Sequence, residues 1–190
     1  FLTLLFPLLT LAQEELNLKD FNEKRLNINR IGMTVLGSWA VGNMAVSGVS
    51  LTTATGANKS FHQMNLGWNA VNLAIAGFSY YGAISGNAGL SLSQTIQEHE
   101  SMKRILLFNA GLDLAYMAGG LYLLERGNHS TKNPDQLKGF GRAVIYNGAF
   151  LLAFDAVMYF IHKNHGSSDL YPLLNSVSVG LNGVSVNWRF

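Results

Sequence analysis

Two aspartates, Asp113 and Asp155, stand inside long runs of residues that are otherwise uncharged and mostly apolar. They are the side chains of this chain best placed to do chemistry. Asn109 lies four residues before Asp113, so a helix would present both on one face. Asn65, Asn69 and Asn72 form a stripe of the same kind, and Asn147 shares a run with Asp155. A carboxyl group at mid-membrane costs about 3 kcal/mol on insertion scales, so such groups turn toward a bundle interior or a wet cavity. Two readings follow. Asn69, Asn72, Asn109, Asp113, Asn147 and Asp155 could be a polar seam for a proton, a cation or a small polar solute. The same residues could equally be interhelical hydrogen bonds that fix a bundle, each pair contributing on the order of a kilocalorie.

The five histidines, His62, His99, His129, His162 and His165, all fall at the ends of the apolar runs or between them. None is expected to be buried, which disfavours a transmembrane haem held by paired histidines. His162-x-x-His165 and the His99 of Glu98-His99-Glu100 fall on the same side of the expected membrane. Imidazoles and carboxylates so placed could hold zinc or another divalent ion, or could serve only as interfacial anchors. Cysteine is absent, which excludes disulfides, thiolate nucleophiles and Cys-ligated metal. No Gly-x-Ser-x-Gly, His-Glu-x-x-His, phosphate loop or Gly-x-Gly-x-x-Gly occurs, so neither an enzyme nor a cofactor is expected.

The elements that must position these groups are helices in lipid. Charged residues are 13% of the chain, about half the share usual in a soluble domain. With a net charge of +2 and no basic, aromatic-interleaved stripe, nucleic acid is not an expected partner. Four windows, 31–51, 64–84, 105–124 and 143–161, each approach the length that crosses a bilayer. TTATGANKSFHQ and ERGNHSTKNPDQLKGFGR read as connections, and SLSQTIQEHESMKR as a helical extension of the third span. Small residues recur every four positions (Ser38 and Gly42; Ala70 and Ala74; Gly111, Ala115 and Gly119; Ala149 and Ala153), the spacing of close helix contacts. A faint repeat sets Arg30-Ile31 and Gly37 on Arg104-Ile105 and Gly111, and Trp68-Asn69-Ala70 on Tyr146-Asn147-Gly148. Two related helical hairpins would result.

The two ends differ from this middle. Residues 1–12 resemble a signal-peptide core with Ala12 at the cut, lacking an initiator Met and basic start, and so read as truncated at the amino end. Residues 13–30 read as an amphipathic interfacial lead-in. Residues 174–190 alternate about Asn182-Gly183, a pair that suits a two-residue β-turn. That hairpin would set Leu181 opposite Val184, Val179 opposite Val186 and Val177 opposite Trp188. Its apolar face of Val179, Leu181, Val184, Val186, Trp188 and Phe190 is a candidate docking surface.

The segment LNLKDFNEKRLNINRIGMTVLGSWA, the pattern Trp68-Asn69-x-x-Asn72, Asn109-x-x-x-Asp113 and the ending GLNGVSVNWRF resemble an uncharacterised family of four-helix membrane proteins from Bacteroidota. The resemblance covers nearly the whole chain and implies no activity, cofactor or catalytic residue. The expected fold is therefore an all-α membrane protein: a four-transmembrane-helix bundle over 31–165, with the lead-in before it and the β-hairpin after it. Lys and Arg number eight on the amino-terminal side and five on the other, which weakly places that end in the cytoplasm. A cleaved signal places both ends outside the cytoplasm and is the stronger argument. The expected role is a scaffold or accessory subunit in a bacterial membrane, partnered by lipid and by another membrane protein or a second copy. The alternative is a small proton, ion or solute transporter or channel subunit using Asp113 and Asp155.

Overall fold

A computed structural model of the chain describes the backbone of residues 2–172, 177–180 and 183–186, and the side chains of residues 17–172. The helices are α1 (Leu2–Ser50), α2 (Gly56–Ser85), α3 (Leu92–His129) and α4 (Pro134–His165), with a π-helical turn (Gly166–Leu170) continuing α4. Local chemistry sets their starts. Gly56 takes a φ of 54°, in the left-handed region, as the chain reverses into α2. At α3 the Gln94 amide donates to Ser91 Oγ and the Ser91 amide donates to Gln94 Oε1, a reciprocal cap. Pro134 begins α4, where its missing N–H costs nothing.

These helices outrun the windows that hydropathy marks. TTATGANKSFHQ is mostly helix, since α2 begins at Gly56, and α3 runs to His129, four residues before Pro134. Residues 13–30 belong to α1, which runs on unbroken into the first window and buries Phe21, Asn22 and Arg25.

The fold class expected from the sequence is corrected on two counts. Among the described residues, only Leu92–His129 and Pro134–Leu170 are long and apolar enough to cross a membrane. The corresponding windows of α1 and α2 are diluted by polar residues, among them Asn43, Ser47, Asn65, Asn69 and Asn72, that the bundle turns inward. The β-hairpin turning on Asn182-Gly183 is the second correction. Val177–Gly180 (β1) and Gly183–Val186 (β2) pair with Val179 opposite Val184 and Val177 opposite Val186. That register differs by two residues from the expected one and makes Gly183 a strand position. A two-residue slip keeps every side chain on its face, so alternation cannot separate the two registers. Leu181, Trp188 and Phe190 lie outside the described residues, as do the side chains of the whole expected docking face.

α3 packs along α4, α4 along α2 and α2 along α1, while α2 and α3 scarcely touch. Large apolar side chains point outward from all four helices, including Val49, Phe78, Phe108 and Val157; Phe78 is 80% exposed. Polar ones point inward. The expected four-residue ridges do not make the contacts: Ser38, Gly42, Ala70, Ala74, Gly111, Ala115, Gly119, Ala149 and Ala153 are all on the outer surface. Close approach instead occurs where Gly120 meets Gly141. A Cβ on Gly141 would lie 2.6 Å from the Gly120 carbonyl oxygen, and one on Gly120 would lie 2.8 Å from that of Gly141.

Gly120→Ala or Gly141→Ala should therefore destabilise the bundle by about 1–3 kcal/mol, the usual cost of overpacking. Gly119→Ala, whose Cβ would meet nothing within 4 Å, should be neutral. Equal melting temperatures for the Gly119 and Gly120 variants in detergent would show the helix faces to be misassigned.

Candidate functional site

Buried positions on α3 recur every seven residues, at His99, Leu106, Asp113, Gly120 and Gly127. On α4 they recur at Gly141, Gly148, Asp155 and His162. Seven residues are two helical turns, so each series is a straight seam down one helix face. The seams run antiparallel. Glycines meet at one end, the carboxyl groups sit midway, and the histidines meet at the other end. Asp113 and Asp155 are 3% and 6% exposed, and their carboxyl groups are near enough for the charge on one to act on the other.

Both carboxyl groups line a cavity of about 610 Å³ with walls from all four helices. Asn72 and Asn109 share it, so four of the six residues of the expected polar seam are brought together. Trp68, Tyr116, Phe154, Met33, Met102 and Met158 supply much of the apolar wall. No Lys, Arg or His is among the lining residues. Among the described residues Asn72 Nδ2 is buried without a hydrogen-bond partner, and Asp113 Oδ2 has none but the Asp155 carboxyl group. The cavity occupies the gap between α2 and α3, bridged by the rings of Trp68 and Tyr116, edge to face at 5.0 Å.

The other two seam residues belong elsewhere. Asn69 Nδ2 donates to Asn147 Oδ1 (2.9 Å), and Asn147 Nδ2 donates to Asn65 Oδ1 (2.7 Å). Asn65 Nδ2 donates in turn to Ser47 Oγ (2.8 Å), which joins α1 to the network. These asparagines are a structural clasp between α2 and α4, with its polar groups largely paired inside the bundle. Asn69 and Asn147 are also the two positions equated by the faint repeat, and they meet across the α2–α4 contact.

Beyond the apolar spans, α1 covers the first turns of α3 and the last turns of α4. His99 and His162 are fully buried there, against the expectation that no histidine would be. The reason is the length of α1: its Phe21 stacks on His165 (4.1 Å between centroids) and meets His99 edge-on (5.4 Å). His162 Nε2 donates to Asn29 Oδ1 (2.8 Å), and His165 Nε2 donates to the Phe21 carbonyl (3.0 Å). Arg25, also buried, lies 3.7 Å from Glu98. Burial lowers the Arg25 guanidinium from its ordinary range, against the opposing pull of Glu98. Tyr171 donates to Glu100 Oε1 (3.0 Å) and accepts from Lys103 Nζ (2.9 Å), tying the end of the π-helical turn to α3.

The candidate metal ligands His99, His162 and His165 are thus neighbours, with ring centroids 6.3 Å (His99–His162) and 6.4 Å (His99–His165) apart. Among the described residues, however, no three His, Asp or Glu side chains form a group that could hold a metal ion. A side chain on Gly166, in the π-helical turn, would collide with the His99 ring. The seven-residue steps from Asp113 back to His99 and from Asp155 on to His162 were the available signal for this cluster, and ridges of four hid it.

A model of a family of unknown function, DUF6992, matches residues 35–156. The chain belongs to that family. In this DUF6992 chain the matched segment holds the asparagine clasp and both cavity aspartates, while His162, His165 and the Phe21 end of α1 lie outside it. No curated protein and no solved structure matches the chain.

The His99 pKa is lowered from 6.5 to about 4, chiefly by burial, with Lys103, His165 and Arg25 acting in the same direction and Glu100 opposing them. A histidine whose folded value is depressed stabilises the fold most above its unfolded value. That contribution is lost as the pH falls from 6.5 through about 4. The melting temperature in detergent should therefore fall on going from about pH 7 to about pH 5, a range in which most carboxylates stay ionised. His99→Leu should flatten this slope whatever its stability at neutral pH. An unchanged slope would mean that His99 does not titrate between the folded and unfolded states.

Proposed function

We propose that this DUF6992 protein is a small integral membrane protein of a bacterial membrane whose bundle carries a proton- or cation-coupled site for a small solute. Asp113 and Asp155 are its working groups. The observation that carries this reading is the meeting of two buried carboxyl groups in a cavity without a basic side chain. Two carboxylates in a low-dielectric site cannot both stay ionised unpaired. They hold a proton between them or take a cation. Exchange of one for the other couples two gradients, which is what a secondary transporter needs.

Membrane residence is supported by α3 and α4, the two helices long and apolar enough among the described residues to cross a bilayer, and by outward apolar side chains such as Phe108 and Val157. Polar groups inside and apolar groups outside suit lipid. An even number of crossings then leaves both termini on one side, outside the cytoplasm if a signal is cleaved. The accessory-subunit reading is less well supported, because two buried acids are a costly way to hold a bundle that the asparagine clasp already fastens.

Purified protein in liposomes carrying a pH-sensitive dye tests the proposal. Under an imposed gradient the wild type should move protons faster than empty vesicles. Asp113→Asn or Asp155→Asn should reduce that excess at least tenfold, with the melting temperature unchanged or raised because an expensive buried acid has been relieved. Wild-type flux in both variants, or loss of flux only together with loss of the fold, would remove the carboxylates from any transport role.

A further inference from the structure

We infer that the cavity binds a monovalent organic cation with an apolar body, its charge against the Asp113–Asp155 pair and its body against Trp68, Tyr116 and Phe154. The inference deepens the reading above and rests on its membrane setting. Three features select this class of ligand.

The first is charge. The cavity wall has two acidic side chains and no basic one, and the Asp113 carboxyl group, with only that of Asp155 beside it, belongs to a residue only 3% exposed. A ligand of opposite charge offsets the burial of a carboxylate; an anion or a neutral apolar molecule does not. Asn72, 5% exposed, lines the same space, and its unpartnered amide nitrogen is a donor that suits an acceptor atom on the ligand body rather than the charge.

The second is size and lining. About 610 Å³ falls within the range of sites for small organic molecules and far exceeds what a bare metal ion occupies. An inorganic cation seeks a shell of oxygens, whereas most of this wall is carbon. Three aromatic side chains, Trp68, Tyr116 and Phe154, line the cavity, the residue types that attract organic cations. Met33, Met102 and Met158 are flexible, polarisable side chains that adapt to irregular shapes.

The third is access. α2 and α3 scarcely touch, and Val71, Ile75, Ile105 and Tyr116 both line the cavity and are exposed on the outer surface. The gap between the two helices therefore opens sideways, toward the lipid, where an amphiphilic cation concentrates. The groove between α1 and α4 is different: Trp39 stacks on Phe150 there, with centroids 3.8 Å apart. One groove is filled by the chain itself and the other is not.

Trp68 makes the test direct, because an occupant in contact with it changes its fluorescence. The protein in lipid nanodiscs is titrated with phenyltrimethylammonium and, separately, with tert-butylbenzene, which has the same shape without the charge. The cation should quench saturably and at least tenfold more tightly than the neutral molecule, and its affinity should rise with pH because protons compete for the same carboxyl pair. Asp113→Asn and Asp155→Asn should each weaken it at least tenfold, and Trp68→Phe should remove the signal while calorimetry still detects binding. Equal affinity for the neutral probe, wild-type affinity in both aspartate variants, or displacement of the probe by millimolar sodium alone would overturn the inference. Saturable cation binding without proton flux would defeat the transport reading and leave the ligand class standing. Proton flux without cation binding would do the reverse.

Discussion

Close contact between α3 and α4 at Gly120 and Gly141 is the constraint on which the rest of this bundle depends. With hydrogen in place of a side chain on each, the two backbones approach to van der Waals distance. A seven-residue register then runs along both helices, and the glycine contact fixes its phase. Given that phase, Asp113 and Asp155 come into mutual influence and His99 meets His162 at the far end. A rotation of either helix by one residue would send a carboxyl group toward lipid, at a cost of a few kcal/mol.

The inward polar residues divide into groups with different physical status. Asn65, Asn69 and Asn147 are tied to one another and to Ser47. Their side chains hold α2 against α4 by hydrogen bonds whose direction and spacing fix the register of the two helices. The cavity aspartates have no such partners among neighbouring cations. Paired polar groups define a structure, while an unpaired pair of acids is a standing cost that binding can relieve. That asymmetry separates a clasp from a site, although both are built from the same residue types on the same helices.

The end of the bundle adds a third kind of polar interior. There α1, running past its apolar span, packs Phe21 against two imidazoles and buries Arg25 near Glu98. A π-helical turn after α4 brings Asp169 to within 3.2 Å of His165 and carries Tyr171 to Glu100 and Lys103. Such wide turns accommodate an extra residue at the expense of regular hydrogen bonding. Here the turn lets Gly166 lie directly against the His99 ring. This cluster is sealed from solvent by the chain itself, so it depends on α1 remaining one continuous helix.

Helical spacing and intramembrane cost were enough to mark Asn69, Asn72, Asn109, Asp113, Asn147 and Asp155 from the sequence, because both are properties of one helix at a time, but not to separate the cavity from the clasp. The pairing of Asn109 with Asp113 was legible too, a local matter of one turn. Which small residues face a neighbour was not legible: Gly119 and Gly120 are adjacent and chemically identical, and only the docked partner makes one exposed and the other essential. The burial of His99 and His162 was hidden for the same reason, since it comes from residues of α1 far away in the chain. Alternation in the carboxyl-terminal segment limited the strand register to steps of two without choosing among them. The sequence by itself determined which groups are too costly to face lipid. Tertiary structure decided which of them meet, because rotation about a helix axis is settled by contacts between helices and by nothing within one.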